Sequence, residues 1–309
     1  MKVAFDPSAL GDQKSFRWLT QIAWMFLDGV HHWVVPSLDD LFASRWWREL
    51  TGPVAGPKGN VWSELAEASF RAERTADLVV TAAARASAAP PWSASARDAE
   101  HHLRQPVLVV VENARCDGAF LRLLALRVGE RKLQRHFGAT AFEEIKRAWT
   151  SPLGDGRWIS VRHGGGATTA DQVRLAVEAS TLPPRIVVIV DSDREHPQDA
   201  PKGTAADVEL ACLEVSKPGW TLKPIVLSKR EVENYIPHRA IRAHHPGLDA
   251  LLLGNDPDHV DLKQLHRHVW RVMTHPDSNA HLHERAWRDR AGRGGQELDA
   301  IIAALVEAQ

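Results

Sequence analysis

The chain has 309 residues, 44% of them hydrophobic and 25% charged, with a formal net charge of −1; that is ample for a buried core and excludes a uniformly basic nucleic-acid binder, though not a local basic groove. Its two cysteines, Cys116 and Cys212, cannot build a disulfide framework, which points to a reducing, cytoplasmic setting. No apolar run reaches the roughly 18 residues of a membrane span, and the opening MKVAFDPSALGDQ lacks the apolar core of a signal peptide.

Residues 1–100 read as a mainly helical accessory or docking region. It holds Trp18, Trp24, Trp33, Trp46, Trp47 and Trp62, half of the twelve tryptophans. QKSFRWLTQIAWMFLDGV carries Phe16, Leu19, Ile22, Ala23, Phe26 and Leu27 at helical spacing, and VWSELAEASFRAERTADLVVTAAARA reads as a long Ala-rich helix. Burial is the default for Trp46 and Trp47, with base stacking or anchoring of a protein partner the alternatives. VAFDPSAL has the strand-Asp-x-Ser form that opens PIN-type ribonucleases, but that fold needs further acids on a parallel sheet and the region reads as helical. ASAAPPWSASARDAE, at 86–100, has the composition of a linker.

From about 104 to 237, strand and helix signals alternate. PVLVVVE leads into DGAFLRLLALRVG; FEEIKRAW is a further helix. RWISVRHGGGATTADQVRLAVEAS passes from strand through a glycine turn to helix. RIVVIVDSD, GTAADVELACLEVS and TLKPIVLSKREVENYI complete the series. Such alternation implies right-handed βαβ units and a mostly parallel, α/β sheet flanked by helices, with ligands bound at the carboxyl ends of the strands. Residues 238–309 read as a helical, His-rich extension. Its HHPG, HRH and HLHER are more naturally a solvated or nucleic-acid-facing surface than a zinc site, because His-x-His on a helix splays the rings apart.

The acids collect at strand ends. Asp191 and Asp193 follow an unbroken apolar run; Glu112 ends the PVLVVVE strand, Asp117 follows at the helix entry, and Glu233 lies after the last strand. Carboxylates that close repel unless a proton or cation lies between them, and a hard divalent ion such as Mg²⁺ is the economical answer. A lone Asp-x-Asp is as often only a turn or a helix cap; Glu112 and Glu233 in matching positions weigh against that. Lys229 and Arg230 are placed to neutralise charge on a phosphate if they face the acids, and are otherwise a solvated pair. Gly164, Gly165 and Gly166 allow close backbone approach to phosphates or simply turn the chain, with His163 beside them.

VLVVVENARCDGAFLRLLA resembles the opening motif of a Toprim domain, and IVVIVDSD its Asp-x-Asp strand. The usual Glu-Gly pair is Glu112-Asn113 here. VRHGGGATT and SKREVENYIP resemble segments of the OLD-family nuclease branch of that fold. The likeness covers about residues 104–237. It implies that Glu112, Asp191 and Asp193 hold one or two Mg²⁺ or Mn²⁺ ions, with Asp117 and Glu233 as further ligands or a base. It also implies a nuclease acting on DNA or RNA, an effector of prokaryotic anti-phage defence. No G-x-x-x-x-G-K-[ST] sequence is present, so a separate ATPase partner is expected, and homo-oligomerisation is left open. The competing readings are another Asp-x-Asp enzyme (a phosphatase or glycosyltransferase) and a non-catalytic subunit that binds nucleic acid or a partner.

Overall fold

A computed structural model describes the chain except residues 30, 53–58, 73, 84–88, 114–115, 139–141, 144–158, 179–181, 201, 218–219, 246, 263–264, 266–268, 270–271, 274–285, 288–294 and 309. Among the described residues the strands form two four-stranded sheets, with every strand pairing parallel. Among the described residues no helix is long and apolar enough to cross a membrane.

The first sheet corrects the expectation of a mainly helical N-terminal region. β1 (Lys2–Phe5), β2 (His32–Val34), β3 (Leu78–Thr81) and β4 (Trp92–Ser95) pair in the order β2-β1-β3-β4. Between them run α1 (Pro7–Gly11), α2 (Phe16–Leu27), α3 (Leu38–Ala43), α4 (Arg45–Thr51) and α5 (Gly59–Arg71), and α6 (Ala96–Arg104) follows. The long Ala-rich helix therefore ends at Arg71, and its LVVT tail is β3. The segment read as a linker contains β4 and the start of α6. Val3, Phe5, Trp33, Leu78, Val80 and Ala94 turn one face of this sheet into a core with the helices. Trp46 and Trp47 are buried there, so the stacking alternative falls. A parallel sheet is present after all, with Asp6 at the carboxyl end of β1; the Asp6 carboxylate accepts the Ser8 N–H at 2.9 Å and caps α1. An open cleft of about 730 Å³, lined by Ala4, Val34, Val79, Phe70, Arg71 and Arg74 among others, lies in this domain. Asp6 also lines it, and none of Glu112, Asp117, Asp191, Asp193 and Glu233 does.

The second sheet is β5 (Val107–Val111), β6 (Ile159–His163), β7 (Ile186–Val190) and β8 (Ile225–Val226), in the order β6-β5-β7-β8. Its helices are α7 (Cys116–Arg127), α8 (Glu130–Phe137), α9 (Thr169–Glu178) and α10 (Thr204–Val215); α11 (His238–Arg242), α12 (Leu248–Leu252) and α13 (Gly295–Glu307) follow. The unbroken apolar run of β7 has a direct cause: its residues alternate between two buried layers. Val187 and Ile189 pack with Phe120, Leu124, Tyr235 and Ile301; Ile186, Val188 and Val190 pack with Val173, Val208 and Cys212. Residues 238–309 hold α11, α12 and α13 among the described residues, with a non-helical stretch at 253–262. FEEIKRAW beyond Glu143, and the HRH and HLHER histidines, lie outside the described residues.

One buried cation knots these parts together. Arg185, just before β7, donates from its guanidinium to the carbonyls of Leu103 (2.9 Å) and Gln105, and at 3.3 Å to Ala308 beyond α13. His31 reaches the same Leu103 carbonyl at 3.0 Å. Burial lowers the Arg185 pKa to about 10, so the group stays charged near neutrality.

Candidate acidic site at the carboxyl edge of the second sheet

β5 and β7 are adjacent and parallel, with Val111 opposite Ile189, so the residues that follow them emerge side by side. Glu112 and Asp191 meet there: the Asp191 backbone N–H donates to Glu112 Oε1 at 3.1 Å. β8 pairs with β7 on the other side, and the chain returns from it to place the Val232 N–H 3.1 Å from Asp191 Oδ1. Asp117, in the first turn of α7, is buried and accepts the Asn113 N–H at 2.8 Å. Glu233 is buried in the 3-10 turn Val232–Tyr235.

Burial, and then the charges of Asp117, Glu233, Glu112 and Glu231 in that order, push the Asp191 carboxyl well above the usual carboxylate range. A carboxylate among four others is held there against its own electrostatics. Glu231, fully buried, is the member that the sequence reading missed. Its signal was the Glu-x-Glu spacing with Glu233, which echoes Asp191 and Asp193.

Asp193 lies off the strand. The strand ends at Val190 and Asp193 takes φ +50°, the positive-φ non-glycine position among the described residues. Its N–H donates to the Arg230 carbonyl at 3.2 Å, which ties the Asp-x-Asp turn to the loop after β8. Strained backbone of this kind concentrates where function over-determines geometry.

The two cations divide. Lys229 is buried, paired with Asp258 at 2.7 Å and set 5.2 Å from the centre of the Tyr235 ring, so it serves the packing of the loop rather than an incoming phosphate. Arg230 is half-buried, 3.6 Å from Glu231 and 3.6 Å from Asp261, and is the cation adjoining the acids.

The glycine turn also proves partly committed. The Gly164 and Gly165 N–H groups donate to the Val111 and Glu112 carbonyls at 2.7 and 3.0 Å. They prolong the β5–β6 ladder, so neither amide is available to a phosphate. Gly165 and Gly166 have φ +75° and +59°, which accounts for glycine at both. Gly164 is needed for space: a Cβ there would lie 2.2 Å from Oγ1 of the fully buried Thr169. Gly164→Ala should therefore cost about 2 kcal/mol in urea unfolding, and Thr169→Ala in the same chain should recover most of it. Equal losses in the single and double variants would show that the clash is not the cause. His163 is exposed at the end of β6, opposite Val111.

The donor set suits a hard cation in kind: oxygen ligands, buried at Asp117, Glu231 and Glu233, half-buried at Glu112 and Asp191, and mutually repelling. As the side chains stand, no three Asp, Glu, His or Cys groups among the described residues are gathered closely enough to enclose an ion. Mg²⁺ needs only one or two carboxylates beside its waters, not an all-protein cage. No protein family, curated protein or solved structure matches the chain.

Proposed function

We propose that the chain is a Mg²⁺- or Mn²⁺-dependent nuclease of Toprim type, resembling the OLD branch, that hydrolyses phosphodiester bonds in DNA or RNA. The observation that carries this reading is the convergence of Glu112, Asp117, Asp191, Glu231 and Glu233, from three strand ends, on one edge of a parallel sheet. Structural ion pairing gives no reason to keep five carboxylates together; a divalent cation does. Glu112, Asp191 and Glu233 are the first candidates to hold it, with Asp117, Asp193 and Glu231 behind them. When bound, the ion supplies Lewis acidity toward the phosphate and the attacking water.

The chain's own groups then have separate tasks. The Val232 N–H fixes the orientation of the Asp191 carboxylate, and the Asp191 N–H that of Glu112. Arg230 offers charge to the phosphate oxygens. His163, exposed beside the edge, meets the nucleic acid. A role in anti-phage defence beside a separate ATPase belongs to this proposal through the resemblance alone.

The test is cleavage of supercoiled plasmid and of bulk tRNA with Mg²⁺, Mn²⁺ or EDTA. Glu112→Gln and Glu233→Gln should each lower the rate by about 10³-fold, some 4 kcal/mol of transition-state stabilisation. Cutting that persists in EDTA, or that survives both substitutions, would end the proposal.

A further inference from the structure

The loop that brings Glu231 and Glu233 to the acidic edge owes little of its shape to its own sheet, because β8 is only two residues long. It is held instead by chain that follows it. Asn234, fully buried, accepts the Glu231 N–H at 3.1 Å and donates to the carbonyls of Pro257 and Val260 at 3.2 and 3.1 Å. The Arg230 N–H donates to the Asp258 carbonyl at 3.0 Å. These contacts brace one side of the loop.

The other side is braced by Glu297, in the first turn of α13. Its Oε1 accepts the Ser228 N–H at 2.8 Å, while its Oε2 accepts the Ser228 hydroxyl at 2.8 Å and the Tyr235 phenol. Tyr235 in turn receives the Lys229 N–H at 3.2 Å. Burial and the neighbouring Glu297 push the Tyr235 pKa upward, so the phenol stays protonated and donates. Ser228 and Tyr235 bracket the segment that carries both acids. One carboxylate, some sixty residues away in sequence, thus clamps both ends of the acid-bearing loop.

We propose that Glu297 is a positioning residue of the acidic site, acting through Ser228 and Tyr235 to hold Glu231 and Glu233 against Asp191. The inference rests on the acidic edge being the working site, and its test separates the two. Hydrogen exchange, Mn²⁺ affinity and urea unfolding are measured on the full chain as wild type, Glu297→Ala and Glu297→Asp. In Glu297→Ala, amides of 228–236 should exchange about tenfold faster, with those of β5 and α7 unchanged, and Mn²⁺ should bind about tenfold more weakly. Glu297→Asp, which keeps the charge on a shorter arm, should recover part of both. Should Glu297→Ala not fold, Tyr235→Phe takes its place, since it removes only the phenol oxygen.

Unchanged exchange at 228–236 overturns the proposal. So does exchange that rises equally through β5 and α7, because Glu297 would then serve general stability. Local loosening in a protein whose wild type binds no Mn²⁺ upholds the clamp and sinks the metal reading alone.

Discussion

Asp191→Asn is expected to make the metal-free protein more stable and to abolish the proposed nuclease activity. The asparagine keeps an oxygen for the Val232 N–H but removes one charge from a group of five carboxylates. The gain should be about 1 kcal/mol, near 2 °C in melting temperature for a chain of this size. The pH dependence follows in sign. A carboxyl whose folded pKa lies above its unfolded value lends stability in full below the unfolded value and loses it as pH rises through the folded one. Unfolding of the metal-free wild type should therefore become easier as pH rises through that window, and Asp191→Asn should flatten the slope. Mn²⁺ should stabilise the wild type and leave the variant unmoved. A variant less stable than wild type at pH 8 without metal would mean that Asp191 is structural and that its neighbours do not strain it.

Arg185→Met should produce the largest loss of stability outside the hydrophobic cores. Methionine fills the space but takes the guanidinium donor from the carbonyls of Gln105, Ala308 and Leu103, the last of which keeps His31. The expected cost is about 3 kcal/mol. Arg185→Lys should recover little, because one ammonium cannot present the guanidinium fork to three carbonyls. Equilibrium unfolding in urea followed by tryptophan fluorescence and by far-ultraviolet dichroism gives a second readout. Six tryptophans lie before residue 63, so fluorescence weights the first sheet. The two signals should separate in the variant if Arg185 couples the parts. Coincident curves within about 0.5 kcal/mol of wild type would remove Arg185 from that role.

The second sheet was legible because its strands state their environment. PVLVVV and RIVVIV have no polar interruption, and only burial on both faces explains such runs. Once they are strands, Glu112 and Asp191 must emerge together at the carboxyl edge. The first sheet hid itself for the opposite reason. KVAF, HWV, LVVT and WSAS are strands of three or four residues, below the length at which alternation can be read, and LVVT stands among alanines that favour helix. Their pairing is between segments up to 75 residues apart, as Val3 with Leu78. Within the site, Glu231 was hidden by its basic neighbours, and nothing local pointed to Asp258 or Glu297. Lys229 and Arg230, adjacent and alike in charge, separate only because one packs inward against Tyr235 while the other meets Glu231.

The two sheets are wired identically: in each, the second strand lies outside the first, and the third and fourth follow on its other side. Each therefore opens a crevice between its first and third strands, where the direction of winding reverses. The two crevices are furnished differently. Glu112 and Asp191 stand at the second; at the first, Asp6 donates its N–H to the Val80 carbonyl at 2.9 Å and caps α1. Wiring sets where a ligand could lie, and a few side chains just past the strands set what chemistry is available there. The same scaffold, used twice in one chain, holds a group of mutually repelling acids in one copy and a single helix-capping aspartate in the other.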